Sequence, residues 1–117
     1  MSLKINIREK PEAVILDLDG RITLGESLSE LRDTIREAIS GDQKNLILNL
    51  ADVNYIDSSG LGQLIGSYAA VKNRGGQMRL LNLQTRVKDL LQVTKLLTVF
   101  DAYTSEGAAL RSFAAAK

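Results

Sequence analysis

The chain has no cysteine and no histidine. Disulfides, thiol chemistry and zinc sites of the usual Cys/His kind are thereby excluded, and so is any Ser-His-Asp or Cys-His relay built from this chain alone. A Ser-Lys arrangement fares no better, because no serine is followed three residues later by lysine. Hydrolytic catalysis is therefore a poor expectation. Tryptophan is also missing and aromatic residues make up only 4%, which leaves little material for stacking on nucleic-acid bases. Fifteen basic against fourteen acidic residues give a net charge of +1, and no electrostatic claim on nucleic acid or anionic lipid follows from that balance. No stretch of about twenty apolar residues occurs, so no membrane-spanning helix is expected. Met1 to Arg8 alternates apolar and polar residues where a secretory signal would need an unbroken apolar run. A cytoplasmic location is the expectation.

What is present is ordinary for a globular protein: 117 residues, 44% hydrophobic and 25% charged. That length suits one domain, 1–117, able to bury a core without metals or cross-links. Leu3, Ile5 and Ile7 alternate with polar residues, the pattern of an edge strand with one buried face. Lys10-Pro11-Glu12 turns the chain into a second run, Ala13 to Leu18, and so short a turn predicts an antiparallel hairpin. Asp19-Gly20-Arg21 is expected to end that strand. Ser27 with Glu30 matches a capping box, opening a helix with Leu28, Leu31, Ile35 and Ile39 inward and a stop near Gly41.

Lys44 to Leu50 is apolar on both alternating faces, as a central strand covered on both sides would be. A helix to about Asn73 should follow, with Leu61, Leu64, Ile65, Tyr68 and Val71 as its stripe and Gly75-Gly76 as its stop. Gly62 and Gly66 share a face of it, where close approach of another segment is expected. Met78 to Asn82 reads as a strand, parallel to its predecessor by the crossover rule. Thr85 to Val93 reads as a helix with Val87, Leu90 and Leu91 inward, Leu97 to Phe100 as a last strand, and Ser105 to Ala116 as a final helix. Thr104 or Ser105 would cap it, Ala109, Leu110 and Phe113 would dock it, and its Ala-rich end is expected to fray. The fold class is α/β: a mixed sheet with an antiparallel N-terminal hairpin, the remaining strands parallel, packed with about four helices.

The chain is organised around Asn54-Tyr55-Ile56-Asp57-Ser58-Ser59-Gly60-Leu61-Gly62. Here a strand-like run gives way to a helix that opens on adjacent hydroxyls. Asp57 and Ser58 are both good N-cap residues. A hydroxyl there lies at the positive end of a helix dipole among uncommitted N–H donors, a field that tolerates phosphate. Gly60, Gly62 and Gly66 fail as a dinucleotide fingerprint, since Ile65 occupies the third glycine's place, and no Gly-Lys-Ser/Thr phosphate loop exists. Asp17, Asp19, Asp52 and Asp57 have no spacing that demands a metal or acid–base cluster. Asp52 and Asp57 read as turn and cap residues, and Tyr55, Tyr68 and Tyr103 as rings at the core margin.

Over nearly its whole length the chain resembles the anti-sigma factor antagonists, the single-domain form of the STAS domain. The resemblance rests on Leu18-Asp19-Gly20-Arg21-Ile22, Leu46 to Leu50, Val53 to Ile56 and Asp57-Ser58-Ser59-Gly60-Leu61-Gly62, continued by Asn73 to Gly76, Leu80 to Leu83 and Val87 to Leu91. It implies a STAS-like fold without cofactor, metal or enzymatic activity of its own. It implies further that Ser58 is phosphorylated by an anti-sigma factor that is itself a serine kinase. The unphosphorylated protein would bind that partner and release the sigma factor, and a metal-dependent PPM-type serine phosphatase would restore binding. Thr23, Leu24, Asn54, Asp57, Ser59, Gly60, Leu61 and Gly62 would form the contact surface, on the Ser58 loop, the following helix start and the Gly20 to Leu24 loop. Many members carry Asp where this chain has Thr23. Direct nucleic-acid contact and membrane insertion are not expected. The alternatives are a structural or regulatory STAS subunit of a stress-signalling or lipid-transport complex, working without phosphorylation, and a small nucleotide-binding enzyme.

Overall fold

The computed structural model describes residues 3–115. Its element order is β1 (Lys4–Glu9), β2 (Val14–Ile22), α1 (Glu26–Ala38), β3 (Leu46–Ile56), α2 (Ser58–Asn73), β4 (Met78–Leu81), α3 (Thr85–Val93), β5 (Asp101–Tyr103) and α4 (Glu106–Ala115). The five strands lie in sheet order β1-β2-β3-β4-β5. β1 pairs antiparallel with β2, and every later pairing is parallel. The N-terminal turn closes through Lys10 N–H donating to the Ala13 carbonyl at 3.0 Å. Met1, Ser2 and the last residues of the Ala-rich end, whose fraying was expected, lie outside the described residues.

β3 is the middle strand and is covered on both faces, as its apolar pattern demands. Leu46, Leu48 and Leu50 join Leu31, Ile35, Leu64, Val71, Val87, Leu91 and Phe100 in the main core, beneath α1, α2 and α3. Ile47 points the other way, into a smaller cluster with Ala13, Ile15, Leu81, Ala109 and Phe113 beneath α4. α2 ends as its glycines suggest: Gly76 N–H reaches the Val71 carbonyl and Gly75 N–H the Lys72 carbonyl, both at 3.0 Å, a Schellman closure.

Several local expectations are corrected. β2 does not stop at Asp19-Gly20-Arg21 but runs to Ile22 with register shifts on either side of Leu18 to Gly20. Gly20 absorbs the irregularity at φ 129°, a backbone angle side chains disfavour. β3 likewise runs past Leu50 to Ile56, which makes Asp52 a strand residue rather than a turn residue. Ser27 does not cap α1. Gly25 holds that position without a side-chain bond, because the Ser27 hydroxyl accepts instead from the Leu3 N–H at 3.2 Å. Ile65 faces outward at 45% exposure. Leu97 to Phe100 is a turn, with Val99 and Phe100 N–H groups returning to the Leu96 carbonyl, and the last strand is Asp101–Tyr103. Ile7, paired with Leu16 two positions from the hairpin turn, lies 53% exposed.

α4 is tied across the sheet by charge. Arg8 donates to Asp17 from Nε at 2.6 Å and Nη2 at 2.9 Å, and to Glu106 from Nη1 at 3.2 Å and Nη2 at 2.8 Å. Buried Arg79 supports the same helix, donating to Ser112 Oγ at 3.0 Å and lying 4.9 Å from the Phe113 ring centre. The Arg8 guanidinium holds both Asp17 and Glu106 below the usual carboxylate range. Their contribution to stability is thus complete above about pH 5 and is lost as pH falls through the depressed folded-state values. We expect Arg8→Met to cost about 1–2 kcal/mol at pH 7, the lower end reflecting solvent screening. Urea unfolding should find a smaller difference between variant and wild type at pH 3 than at pH 7.

Candidate functional site

The final pairing of β2 with β3, Ile22 with Ile56, brings two chain segments together where both leave the sheet. The Asp57 N–H donates to the Ile22 carbonyl at 3.2 Å, extending the ladder by one bond. Asp57 then has extended backbone angles, φ −90° and ψ −177°, and caps α2. Its Oδ1 accepts from the Gly60 N–H at 2.7 Å and its carbonyl accepts from the Leu61 N–H at 2.8 Å. Its other oxygen, Oδ2, accepts from the Leu24 N–H at 3.0 Å. The Gly60 and Leu24 amides, in that order, draw the Asp57 carboxyl below its ordinary pKa, since donors aimed at the charged form favour it.

Ser58 is the first residue of α2 and is exposed. Among the described residues its hydroxyl enters no hydrogen bond. The first N–H groups of any helix have no partner within it, so the Ser58 oxygen stands beside donors at the positive end of a 16-residue helix. Ser59 and Leu61 are half-buried, Gly62 is exposed, and Gly60 is buried. Across the gap Thr23 is half-buried and Leu24 is 76% exposed. Asn54 is exposed on β3, with Tyr55 beside it at 42%.

The structure therefore links Leu24, Asp57 and Gly60 directly and sets Ser58, Ser59, Leu61 and Gly62 on the adjoining helical turn. Among the described residues, Asn54 and Thr23 flank this group without a side-chain hydrogen bond to it. The contact loop is shorter than expected: Gly20 to Ile22 belong to β2, and the segment between β2 and α1 is Thr23 to Gly25. Close approach occurs at a different glycine as well. Among the described residues nothing lies where a Cβ on Gly62 or Gly66 would go, whereas a Cβ on Gly60 would collide with the Ile22 carbonyl.

Two features escaped the sequence reading. Asp57 bridges to Leu24, a contact 33 residues away in the chain that local capping rules do not foretell. Arg21 lies with its guanidinium 5.7 Å from the Tyr55 ring centre, and the strand register pairs the two, so correct boundaries for β2 and β3 would have revealed it. Tyr55 also borders a groove of about 300 Å³ lined by Ile56, Val87, Leu90 and Val93. Among the described residues no cluster of carboxylates could hold a metal ion, and no helix is long and apolar enough to cross a membrane.

A family model for the STAS domain matches residues 4–109, and the chain belongs to that family. It is 30% identical over 108 residues to the anti-sigma-B factor antagonist of Bacillus subtilis (strain 168), covering 92% of this chain and 97% of the relative. With the anti-sigma F factor antagonist of Paenibacillus polymyxa it shares 30% identity over 111 residues, 94% of each chain. The solved structure of the anti-sigma factor antagonist SpoIIAA in its unphosphorylated form superposes with a TM-score of 0.77 at 25% identity, over 93% of this chain and 96% of that one. It carries the same mixed sheet and helices.

Gly60 and Gly66 lie in one helix and should respond to the same substitution with opposite sign. Gly60→Ala must push the Ile22 carbonyl away and is expected to cost about 2–4 kcal/mol, as overpacking against backbone does. Gly66→Ala, facing open space, should gain up to about 1 kcal/mol from helix propensity. Chemical denaturation of the two variants checks the contrast.

Proposed function

We propose that this protein is an anti-sigma factor antagonist whose unphosphorylated form binds an anti-sigma factor with serine-kinase activity, and that phosphate on Ser58 ends the binding. The observation that carries this reading is the exposed Ser58 hydroxyl at the mouth of α2, reachable by a kinase and set in a field that accepts negative charge. The names of the two relatives and the unphosphorylated state of SpoIIAA support it. The protein acts without catalysis of its own, in the cytoplasm, and a PPM-type phosphatase resets it.

Two opposed energies make Ser58 a switch. A phosphoserine adds about −1.5 to −2 charges, and at a helix N-terminus that charge stabilises by about 0.3–1 kcal/mol. A partner covering the same site must strip water from the dianion, and an unpaired buried charge costs several kcal/mol. The second effect is larger, so the fold persists while the complex dissociates. A penalty of about 4 kcal/mol weakens affinity roughly a thousandfold. The docking face comprises Thr23, Leu24, Asn54, Asp57, Ser59, Gly60, Leu61 and Gly62, within the roughly 800 Å² per partner that a stable complex covers.

Ser58→Ala should bind the cognate anti-sigma factor in the presence of ATP without loss over time, and Ser58→Asp should bind about a hundredfold or more weakly, with both variants folded. Intact-mass measurement after incubation with that kinase and ATP should show one phosphate on wild type and none on Ser58→Ala. A phosphate persisting undiminished on Ser58→Ala would rule the assignment out.

A further inference from the structure

β1 ends the sheet, and among the described residues nothing pairs with its outer side. In an antiparallel ladder the backbone groups of successive residues point to opposite sides. The Lys10 N–H bonds to the Ala13 carbonyl at 3.0 Å, so Lys4, Asn6 and Arg8 turn their backbone groups to β2 while those of Ile5, Ile7 and Glu9 point outward. Leu3 keeps the same alternation, its N–H leaving the sheet for the Ser27 hydroxyl. The strand has no proline, and its pairing with β2 has no register shift, so its outer edge is an unblunted row of donors and acceptors. Beside it lies a groove of about 520 Å³ against the C-terminal half of α1. Ile7, Val14 and Ala38 supply its apolar floor, and Glu9, Glu37 and Asp42 its rim, with Lys10 the one cation among the described residues that line it. Glu30, two turns before Glu37 on α1, borders the same strand beside Leu3 and Ile5. Among the described residues none of these four carboxylates joins a salt bridge.

We propose that the outer edge of β1 takes up an extended, lysine- or arginine-bearing segment of another protein as an added strand. Main-chain bonds to Ile5, Ile7 and Glu9 hold such a segment, and its alternate side chains fall on the α1 face. A long basic side chain suits that face in both its parts. Its methylene stem covers the exposed Ile7, and its charged head reaches Glu9, Glu37 or Asp42. A second copy of this chain fits less well. Two-fold pairing of β1 with itself, centred on Asn6 or on Ile7, sets Lys4 against Arg8 or Lys10 of the other copy, and like charges directly opposite destabilise a ladder. The groove also lies far from Ser58. Val14 pairs with Leu46 near the hairpin turn and Ile22 with Ile56 at the other end of the sheet, and the length of β2 separates the two by roughly 25 Å. The proposal therefore does not rest on the reading of Ser58, and it leaves both faces open to be occupied at once.

The probe is the blocked peptide acetyl-Lys-Val-Lys-Val-Lys-Val-Lys-amide, titrated into the ¹⁵N-labelled full chain with amide exchange and chemical shifts read by NMR. Two control peptides accompany it, one with glutamate in place of every lysine and one of unchanged sequence with every backbone nitrogen methylated. At ten times the dissociation constant, exchange of the Ile5, Ile7 and Glu9 amides should slow about tenfold. Asn6 and Arg8, already bonded to β2, should change little, and the Ser58 and Leu61 shifts should stay in place. The double variant Glu37→Gln, Asp42→Asn, with both residues exposed, should keep the wild-type melting temperature and bind the peptide about fivefold more weakly. An equal response to the glutamate peptide would overturn the charge preference. An equal response to the methylated peptide would show attraction without strand addition and overturn the proposal, as would absence of protection at about 1 mM peptide. Protection of the same three amides without peptide, rising with protein concentration together with the sedimentation coefficient, would overturn it in favour of a second copy.

Discussion

The parallel pairing of β2 with β3, carried as far as Ile22 and Ile56, is the constraint from which the site follows. It leaves the Ile22 carbonyl at the sheet's end, where it accepts the Asp57 N–H and lies beneath Gly60. Were the strands to part at Gly20, neither contact would form, and α2 would start at another height above the sheet. The buried glycine lets the helix descend on the strand end. The aspartate fastens the descended helix to the loop that leaves β2. Ser58 is exposed because the residues on both sides of it are committed: Asp57 to the strand and loop, Gly60 to the carbonyl below.

Much of this was readable where the chemistry is local. Asp57 as cap, a helix beginning within a residue or two of Ser58, and the Gly75-Gly76 stop depend on residues within a turn of one another, so propensity and hydrogen-bonding capacity identify them. The central position of β3 was readable because Leu46, Ile47 and Leu48 leave no polar face for solvent. Readings failed where a distant partner intervened. Ser27 has the spacing of a capping box, yet its hydroxyl is claimed by the Leu3 N–H 24 residues earlier. Leu97 to Phe100 has the composition of a short buried strand, but its N–H groups fold back on Leu96 and Phe100 enters the core from a turn. Gly62 and Gly66 suggested close contact by spacing alone, and only the three-dimensional path of β2 shows that Gly60 is the residue in contact.

The same limit applies to charge. Arg8 and Asp17 were visible as a polar residue on an edge strand and a carboxylate near a strand end, without any sign that they meet. Hairpin pairing sets Arg8 opposite Ile15, which puts Asp17 on the same face one diagonal step along, within reach of a long side chain. Glu106, 98 residues from Arg8, completes the group only once α4 is laid across the back of the sheet. Long-range ion pairs of this kind depend on register and on helix placement together, and neither is encoded by any short stretch.

The two sides of the sheet thus have different tenants. Three helices and the serine at the mouth of α2 belong to one layer, while α4 sits alone on the other, with five strands of apolar and hydrogen-bonded material between. A dye or affinity handle attached at exposed Arg111 would be insulated from the serine by the thickness of that partition. Traffic at the helix mouth could then be watched from behind without the observer standing in the doorway.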